Sequence, residues 1–578
     1  MEQTAGIGGL LYFLICHPEI LFLEEYFILK KGQTYEGYVE RMDFPNKGIV
    51  RVETEEGVEY ASVKDALPGR RISFMVNKKR GGKAEGRQTE VLESAACEAG
   101  ADKCEYSGTC GGCLYQGFPY EESVKVKEEQ IKRLLGNYTE GAVYDGVIPS
   151  PSYKGYRNKM EYTFGDEYMD GPLAVGLHKR GSFYDILNVP GCEIAPADFG
   201  VILDYTLSFF KERGVSHYHR MRHTGILRHL LLRKSHASGE IMAGLVTTSE
   251  LDAALAEEWC EGLKKCELEG KLASVLHIVN DELADAVKCN RLVLLYGGEY
   301  ITEELLGLKF RISPFSFFQT NSAGAEKLYS LVREYLMQEG VKGTVFDLYS
   351  GTGTISQMIS PAAEKVIAVE IVEEAVEAAR ENAKLNGISN CEFIAADVLK
   401  ALDDITDRPD YTILDPPRDG INPKALNKIL DYGVDSLVYI SCKASSLARD
   451  MIAIRSAGYE IIRWGMVDMF PFTGNIETVC LLSKGDVKSQ KLRVEFSLED
   501  MDTDGFKKGA TYNAIRDWIK AKYGYRVTNL NIAQVKQKHG IIERENYNKP
   551  KSPDSKQLGC PEEKVKAIED AMRHYQMI

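Results

Sequence analysis

A thiol, several carboxylates and a glycine loop follow one another in the second half of the chain in an order that suits group transfer. Cys442 stands in Tyr439-Ile-Ser-Cys442-Lys-Ala-Ser-Ser-Leu-Ala-Arg-Asp450, at the end of an apolar run, where a thiolate can attack an electrophilic carbon. Upstream, Val345-Phe-Asp-Leu-Tyr349 leads into Ser350-Gly-Thr-Gly-Thr354, a turn that lets a nucleotide-like ligand approach the backbone. The third glycine of a dinucleotide loop is missing, because position 356 is Ser, so a methyl donor suits this loop better than NAD. Glu370 ends the next strand, where it can accept hydrogen bonds from ribose hydroxyls, and Asp397 and Asp415 end later strands on the same edge. Each aspartate by itself suits a helix N-cap equally well, but four strand-end signals in register favour a ligand site.

A cysteine beside a methyl donor points to a substrate too poor in electrons to take a methyl group unaided. C5 of uracil is such a carbon. Thiolate addition to C6 makes an enolate whose C5 attacks the methyl group, and a base then removes the C5 proton. Glu477, in Asp468-Met-Phe-Pro-Phe-Thr-Gly-Asn-Ile-Glu477 before the strand-like Thr478-Val-Cys-Leu-Leu482, is placed to be that base. The bland alternatives are a small buried thiol at Cys442 and a solvated carboxylate at Glu477.

These residues need elements to hold them. At 578 residues the chain exceeds one hydrophobic core, and 44% hydrophobic with 27% charged residues is ordinary for a folded protein. From residue 341 the rhythm is strand, glycine loop, helix, strand, which predicts a doubly wound α/β domain over residues 331–485. Short alternating runs separated by Gly, Pro and Asn predict a small antiparallel OB-like barrel over residues 31–93. Between them, residues 94–330 read as a central α+β part, with an amphipathic helix over Tyr120 to Leu135 and a strand at Leu227 to Arg233. Residues 1–30 read as an extension whose apolar stretch, Gly9 to Phe22, is broken by His17, Pro18 and Glu19 and is too short to span a membrane. Residues 486–578 are hydrophilic, with helices expected at Asn513 to Tyr523 and Glu562 to Tyr575, and carry no chemical signal.

The net charge of -14 excludes a uniformly cationic surface but not a local basic face, for which Arg70-Arg71 and Lys78-Lys-Arg80-Gly-Gly-Lys83 through Arg87 are candidates. Thirteen cysteines are too few for a disulfide scaffold and fit a reducing cytoplasm. One group is not scattered: Cys104-x5-Cys110-Gly-Gly-Cys113 has the spacing of a metal or cluster loop, with zinc and iron-sulfur both open and Cys97 a competing ligand. His217, His219, His223, His229 and His236 lie on an Arg/His stretch and read as solvated or RNA-facing.

Ser313-Pro-x-Ser-Phe-Phe-Gln319-x-Asn321, Asp347-Leu-Tyr-Ser-Gly-Thr-Gly353, Asp415-Pro-Pro-Arg418, Ser441-Cys442 and Asp468-Met-Phe-Pro471 together resemble the RNA (uracil-5-)-methyltransferases of the RumA/RlmD and TrmA type, over roughly residues 31–485. The resemblance implies a TRAM-type OB-like barrel for RNA and a Rossmann-like methyltransferase domain. It implies a nucleophile at Cys442, a proton acceptor at Glu477, and S-adenosylmethionine contacts from Gln319, Tyr349, Glu370, Asp397 and Asp415. It also makes Cys192 the distant fourth ligand to a 4Fe-4S cluster with Cys104, Cys110 and Cys113. The implied substrate is RNA, with 23S ribosomal RNA favoured over the tRNA T-loop, and the implied enzyme is a cytoplasmic monomer off the membrane. Relatives commonly have Asn-Pro after the nucleophile, where this chain has Lys443-Ala444, and His two places before the base, where it has Asn475. A catalytically silent RNA-binding protein with the same fold is the reading those two departures permit. A radical S-adenosylmethionine enzyme is disfavoured, because x5 spacing and four cysteine ligands leave no open iron.

Overall fold

Alternating burial along the first strands closes them into a barrel, in a computed structural model that describes residues 29–80, 83–284, 289–484, 512–525, 527–539 and 561–574. The apolar stretch Gly9 to Phe22, the segment 545–555, and Gly81 and Gly82 of the basic run lie outside the described residues. Strands β1 (Thr34–Asp43), β2 (Lys47–Thr54), β3 (Gly57–Lys64), β4 (Arg71–Arg80) and β5 (Lys83–Glu93) close in the order β1-β2-β3-β5-β4. Their inward positions, among them Val39, Val50, Val63, Ile72, Phe74 and Val76, form the barrel core. Arg70 and Arg71, read as part of a cationic face, are neutralised instead. Arg70 pairs with Glu98 at 2.7 Å, and Arg71 with Glu36 and Glu93 at 2.8 and 2.9 Å.

The central sheet comprises β7 (Lys159–Asp166), β8 (Leu173–His178), β9 (Ile186–Leu187), β10 (Leu227–Lys234), β11 (Glu240–Thr247), β12 (Lys271–Val279) and β13 (Arg291–Gly297). Its order is β13-β12-β11-β10-β7-β8-β9. Helices Ala197–Glu212 and Ala253–Leu263 cover one face, packing Phe199, Leu203, Phe210 and Trp259 onto Leu230 and Leu232. The opposite face, with Leu231, Val246, Leu276 and Ile278, shares a core with Leu328, Tyr335, Val438 and Val479 of the next domain. The central sheet and the α/β domain share that core and lie, together with the barrel, in one compact unit.

The α/β sheet has β16 (Thr344–Leu348), β17 (Lys365–Glu370), β18 (Cys391–Ala395), β19 (Tyr411–Leu414), β20 (Ser436–Ser441), β21 (Tyr459–Val467) and β22 (Glu477–Lys484), with β6 (Val143–Ile148) at its edge. The order is β18-β17-β16-β19-β20-β22-β21-β6. Strands β16 to β20 are parallel, and β22 runs antiparallel to both β20 and β21. Chain order reverses between β17-β16 and β19, which opens a crevice at the carboxyl edge. Helix Tyr120–Thr139 packs Ile131, Leu135 and Tyr138 into this domain's core, although it precedes the central sheet in sequence. No helix among the described residues is long and apolar enough to cross a membrane.

The second compact unit, from Ser489, contains helices Tyr512–Tyr523, Asn529–Lys538 and Glu562–His574, which bury Ile515, Ile519, Ile532, Val535, Ile568 and Met572 in a core of their own.

One buried ion pair joins the helix Tyr120–Thr139 to the loop before β22. Lys127 Nζ lies 2.8 Å from Asp468 Oδ1, with both side chains out of solvent, and also donates to the Phe470 carbonyl at 3.0 Å. Burial holds the lysine below its ordinary pKa, and Asp468 opposes that shift. Removing one partner leaves the other charge buried and unpaired. Lys127→Met is expected to lower stability by about 3–5 kcal/mol, and pairing it with Asp468→Leu to recover most of that loss, read as urea midpoints.

Candidate active site and cysteine loop

The glycine loop is held by its neighbours before any ligand arrives. Tyr349 leaves β16 with φ of 72°, and its amide and that of Ser350 donate to the Val369 carbonyl at 2.9 and 3.0 Å. Gly353 has φ of 68°, and a Cβ there would lie 2.5 Å from the Phe393 ring. Ser356, at the position of the missing third glycine, donates its hydroxyl to Asp347, which is fully buried. Burial pushes the Asp347 carboxyl up to about 6, with the Ser356 hydrogen bonds opposing. Glu370 accepts from the amides of Gly351 and Val372, both at 3.0 Å, so its carboxylate is fixed beside the loop. Asp397 is exposed and accepts from Leu399 N at 3.1 Å as the N-cap of helix Val398–Asp404. Its charge still reaches Tyr349, whose phenol is pushed up to about 12 chiefly by burial.

Gln319 is carried by a segment anchored from the central sheet. Asn158 Nδ2 donates to the Gln319 carbonyl at 3.0 Å and to Ser322 Oγ at 2.8 Å. The Gln319 side chain opposes the rise that burial imposes on the Tyr329 phenol. Asn321 caps helix Ser322–Gln338 by accepting from Gly324 N at 2.9 Å. It also donates to the Met469 carbonyl and to Ser150 Oγ, each at 3.0 Å. The Gln319 segment and the loop before β22 are thereby held to one helix.

The thiol and its carboxylates meet at the carboxyl edge. The antiparallel ladder ends at the pair Ser441 and Thr478, so Cys442 and Glu477 are the residues that flank its last pair, and the charge of Glu477 acts on the thiol. Cys442 is half-buried, and its thiol is pushed up to about 11 by burial and then by the charges of Glu477 and Asp415. Glu477 is only 4% exposed, not the solvated carboxylate that a strand start allows. Burial, then Asp415, pushes it up to about 8. Asp415 is pushed up to about 7 by burial and by Asp347. Arg418 opposes the shifts at both Cys442 and Glu477, and its Nη2 donates to Asn475 Oδ1 at 2.8 Å. Asn475, two places before Glu477, therefore holds the Arg418 cation whose charge acts on the pair.

A further anchor escapes the sequence reading. Asp450, on helix Ala444–Ser456, is buried and accepts from Tyr439 OH at 2.7 Å and from Ile421 N at 2.9 Å. Arg449 is paired to the same carboxylate, and Ser446 Oγ donates to the Arg418 carbonyl at 2.7 Å. The Asp415-Pro-Pro-Arg418 turn is clamped in this way to the helix that follows Cys442. Only its place at the end of the Cys442 motif hinted at Asp450. Lys443 occupies the N-cap position of that helix and makes no side-chain cap there.

Cys104, Cys110, Cys113 and Cys192 line one small cavity together with Tyr106, Gln116 and Leu177. Cys97 is not among its lining residues. Burial raises the Cys110, Cys113 and Cys192 thiols, Cys113 to about 12, and the cysteines add to one another's shifts. Backbone bonds tie the loop to the β8–β9 hairpin, with Gly111 N donating to the His178 carbonyl at 3.2 Å and Arg180 N to the Thr109 carbonyl at 2.7 Å. Among the described residues, no group of three or more His, Cys, Asp or Glu side chains is arranged to hold a metal ion. Four converging thiols are nevertheless the donor chemistry of a thiolate-ligated group. Of the histidines, His217 lies 3.5 Å from Asp166, His223 is hydrogen-bonded to Tyr218, and His229, expected at a solvated or RNA-facing position, is buried in β10.

Comparison with known proteins agrees with this geometry. The model of the tRNA (uracil-5-)-methyltransferase family matches residues 235–485. An uncharacterized RNA methyltransferase of Clostridium tetani is 43% identical over 459 residues, covering 79% of this chain and 99% of the relative. Another, from Clostridium acetobutylicum, is 44% identical with the same coverage. The fold resembles that of the Pyrococcus abyssi tRNA (uracil-54, C5)-methyltransferase solved with S-adenosyl-L-homocysteine. The TM-score is 0.60 and the identity 23%, over 77% of this chain and 100% of that one. The chain therefore belongs to the RNA (uracil-5-)-methyltransferase family and is an S-adenosylmethionine-dependent RNA methyltransferase.

Proposed function

We propose that the protein methylates C5 of a uridine in 23S ribosomal RNA through a covalent adduct between Cys442 Sγ and C6, with Glu477 accepting the C5 proton. What supports this reading most is that Cys442 and the buried Glu477 flank the last pair of the β20–β22 ladder, with the charges of Glu477 and Asp415 both acting on the thiol. In this proposal residues 31–93 grip RNA, residues 94–330 carry the cysteine loop, residues 331–485 transfer the methyl group, and the enzyme works as a cytoplasmic monomer. Gln319, Tyr349, Glu370 and Asp415 hold the donor, and Asp397 supports Tyr349. S-adenosylmethionine supplies an electrophilic methyl group to the site when bound.

Cys442 adds to C6 as the thiolate, a form that Arg418 favours and that Glu477 and Asp415 oppose. The enolate then takes the methyl group at C5. Glu477 removes the C5 proton as the C6–S bond breaks, which restores the ring and the thiolate. The target base must leave its stack to meet a thiol at the sheet edge.

We also assign a thiolate-ligated 4Fe-4S cluster to Cys104, Cys110, Cys113 and Cys192, a reading supported by their lining one cavity. Methyl transfer moves no electrons, so its role is to hold the loop and the hairpin tied to it. A tRNA T-loop uridine is the second reading. It is supported by the tRNA (uracil-5-)-methyltransferase family model, which matches residues 235–485.

RNA containing 5-fluorouridine is expected to trap wild-type protein as a denaturation-resistant adduct and not Cys442→Ala; equal trapping of both would sink the mechanism. Glu477→Gln is expected to form the adduct and to slow its release by about 10²–10⁴-fold, measured as tritium loss from C5-labelled RNA. Glu477 accepts a proton only when ionised, so the release rate is expected to rise as pH increases through about 8, and Glu477→Gln to lose that inflection. Anaerobically purified protein is expected to contain iron and sulfide, lost in Cys192→Ser; stoichiometric zinc without sulfide would refute the cluster. Mapping 5-methyluridine in ribosomal and transfer RNA from a deletion strain decides the substrate.

A further inference from the structure

Two cations face each other on the central sheet, and a third, Arg157, lies two residues before the strand, where a stability-seeking sequence would not put them. In the ladder between β7 and β10, Lys159 faces Arg233 directly, and like charges opposite each other across an antiparallel pair are destabilising. Arg233 is 3% exposed, and Lys159 only 23% exposed at its side chain, so water screens the pair poorly. Lys159 is held below its ordinary pKa by burial, then by Arg233, with Arg157 adding to the effect. Arg157 is half-buried and makes no ion pair among the described residues. Glu161, 2.6 Å from Lys159, is the acidic partner in the group, so three cations meet one carboxylate.

The cluster is built rather than accidental. Arg233 Nη2 donates to the carbonyls of Pro314, at 3.2 Å, and Ser316, which fixes the guanidinium, while its buried Nε has no partner. Those carbonyls belong to the segment that carries Gln319. Asn158, between Arg157 and Lys159, bonds that same segment through Thr320 and Gln319. The excess positive charge therefore stands beside the donor site and is anchored to it.

We infer that Arg157, Lys159 and Arg233 form an anion subsite that takes a backbone phosphate of the RNA next to the reacting uridine. The inference rests on the proposed uridine chemistry only for the name of that nucleotide. An anion there relieves the like-charge repulsion, which is a reason to keep three cations together in the free protein. The donor's own carboxylate is the other anion within the site's chemistry, and the test separates the two.

Full-length protein would be titrated with a fluorescein-labelled 23S ribosomal RNA transcript over a range of salt. Arg157→Gln and Lys159→Met are each expected to weaken binding and to lower the slope of log K against log salt by about 0.7–0.9, the value of one phosphate contact. Arg157→Lys is expected to keep the slope. Affinity for S-adenosylhomocysteine is expected to stay at the wild-type value, and Lys159→Met to melt at a higher temperature because repulsion has been removed. An unchanged salt slope, or a loss of S-adenosylhomocysteine affinity in place of RNA affinity, would overturn the subsite. A lower melting temperature with intact RNA binding would overturn it too, by making the cations structural. The 5-fluorouridine trap, run at saturating RNA with wild-type protein, tests the uridine chemistry separately.

Discussion

The active site depends on one strand running the wrong way. Strand β22 inserts between β20 and β21 antiparallel to both, so the start of β22 returns to the edge where β20 ends. Only that reversal brings Cys442 and Glu477, 35 positions apart by their numbers, to the same end of one ladder. Strand side chains alternate faces, so a slip of one residue would turn Glu477 away from the thiol and Thr478 toward it. Burial of β22 on both faces makes such a slip costly: Val479 and Leu481 enter one core, and Cys480 and Leu482 the other.

The same burial sets the electrostatics. Asp347, Asp415 and Glu477 stand in a row with little water, and each raises the proton affinity of the next. Arg418 is the counterweight, and Asn475 holds it in place. Burial raises the proton affinity of all three carboxyls, a rise that a cationic sulfonium beside them would oppose. The loop that delivers Glu477 is in turn held by Lys127, by Asn321, and by the amides of Leu114 and Tyr115, which donate to the Phe472 carbonyl at 2.8 and 3.0 Å. Helix, α/β domain and cysteine region thus share in positioning one carboxylate.

Much of this was legible in the chain. Strand-end acids and a glycine turn pointed to one edge of the α/β sheet, and strands β16 to β20 do run parallel so that their ends share that edge. The alternating runs before residue 93 closed as a barrel, and the helix expected over Tyr120 to Leu135 formed over Tyr120–Thr139. Surface electrostatics were less legible. Arg70 and Arg71 are claimed by acids 28 and 22 to 35 residues away, pairs that exist only once the barrel is closed.

From the sequence alone, residue types and local spacing determined the chemistry available: a thiol at a strand end, a carboxylate before the last strand, a donor loop and four cysteines. Tertiary structure decided which of these meet and in what state. It placed β6 and the helix Tyr120–Thr139 on the α/β sheet, made Asp450 a clamp, and set Lys159 against Arg233. The physical reason is that ladder register and burial arise between segments remote in sequence. A charge's environment is a property of the packed molecule and of no stretch of its chain.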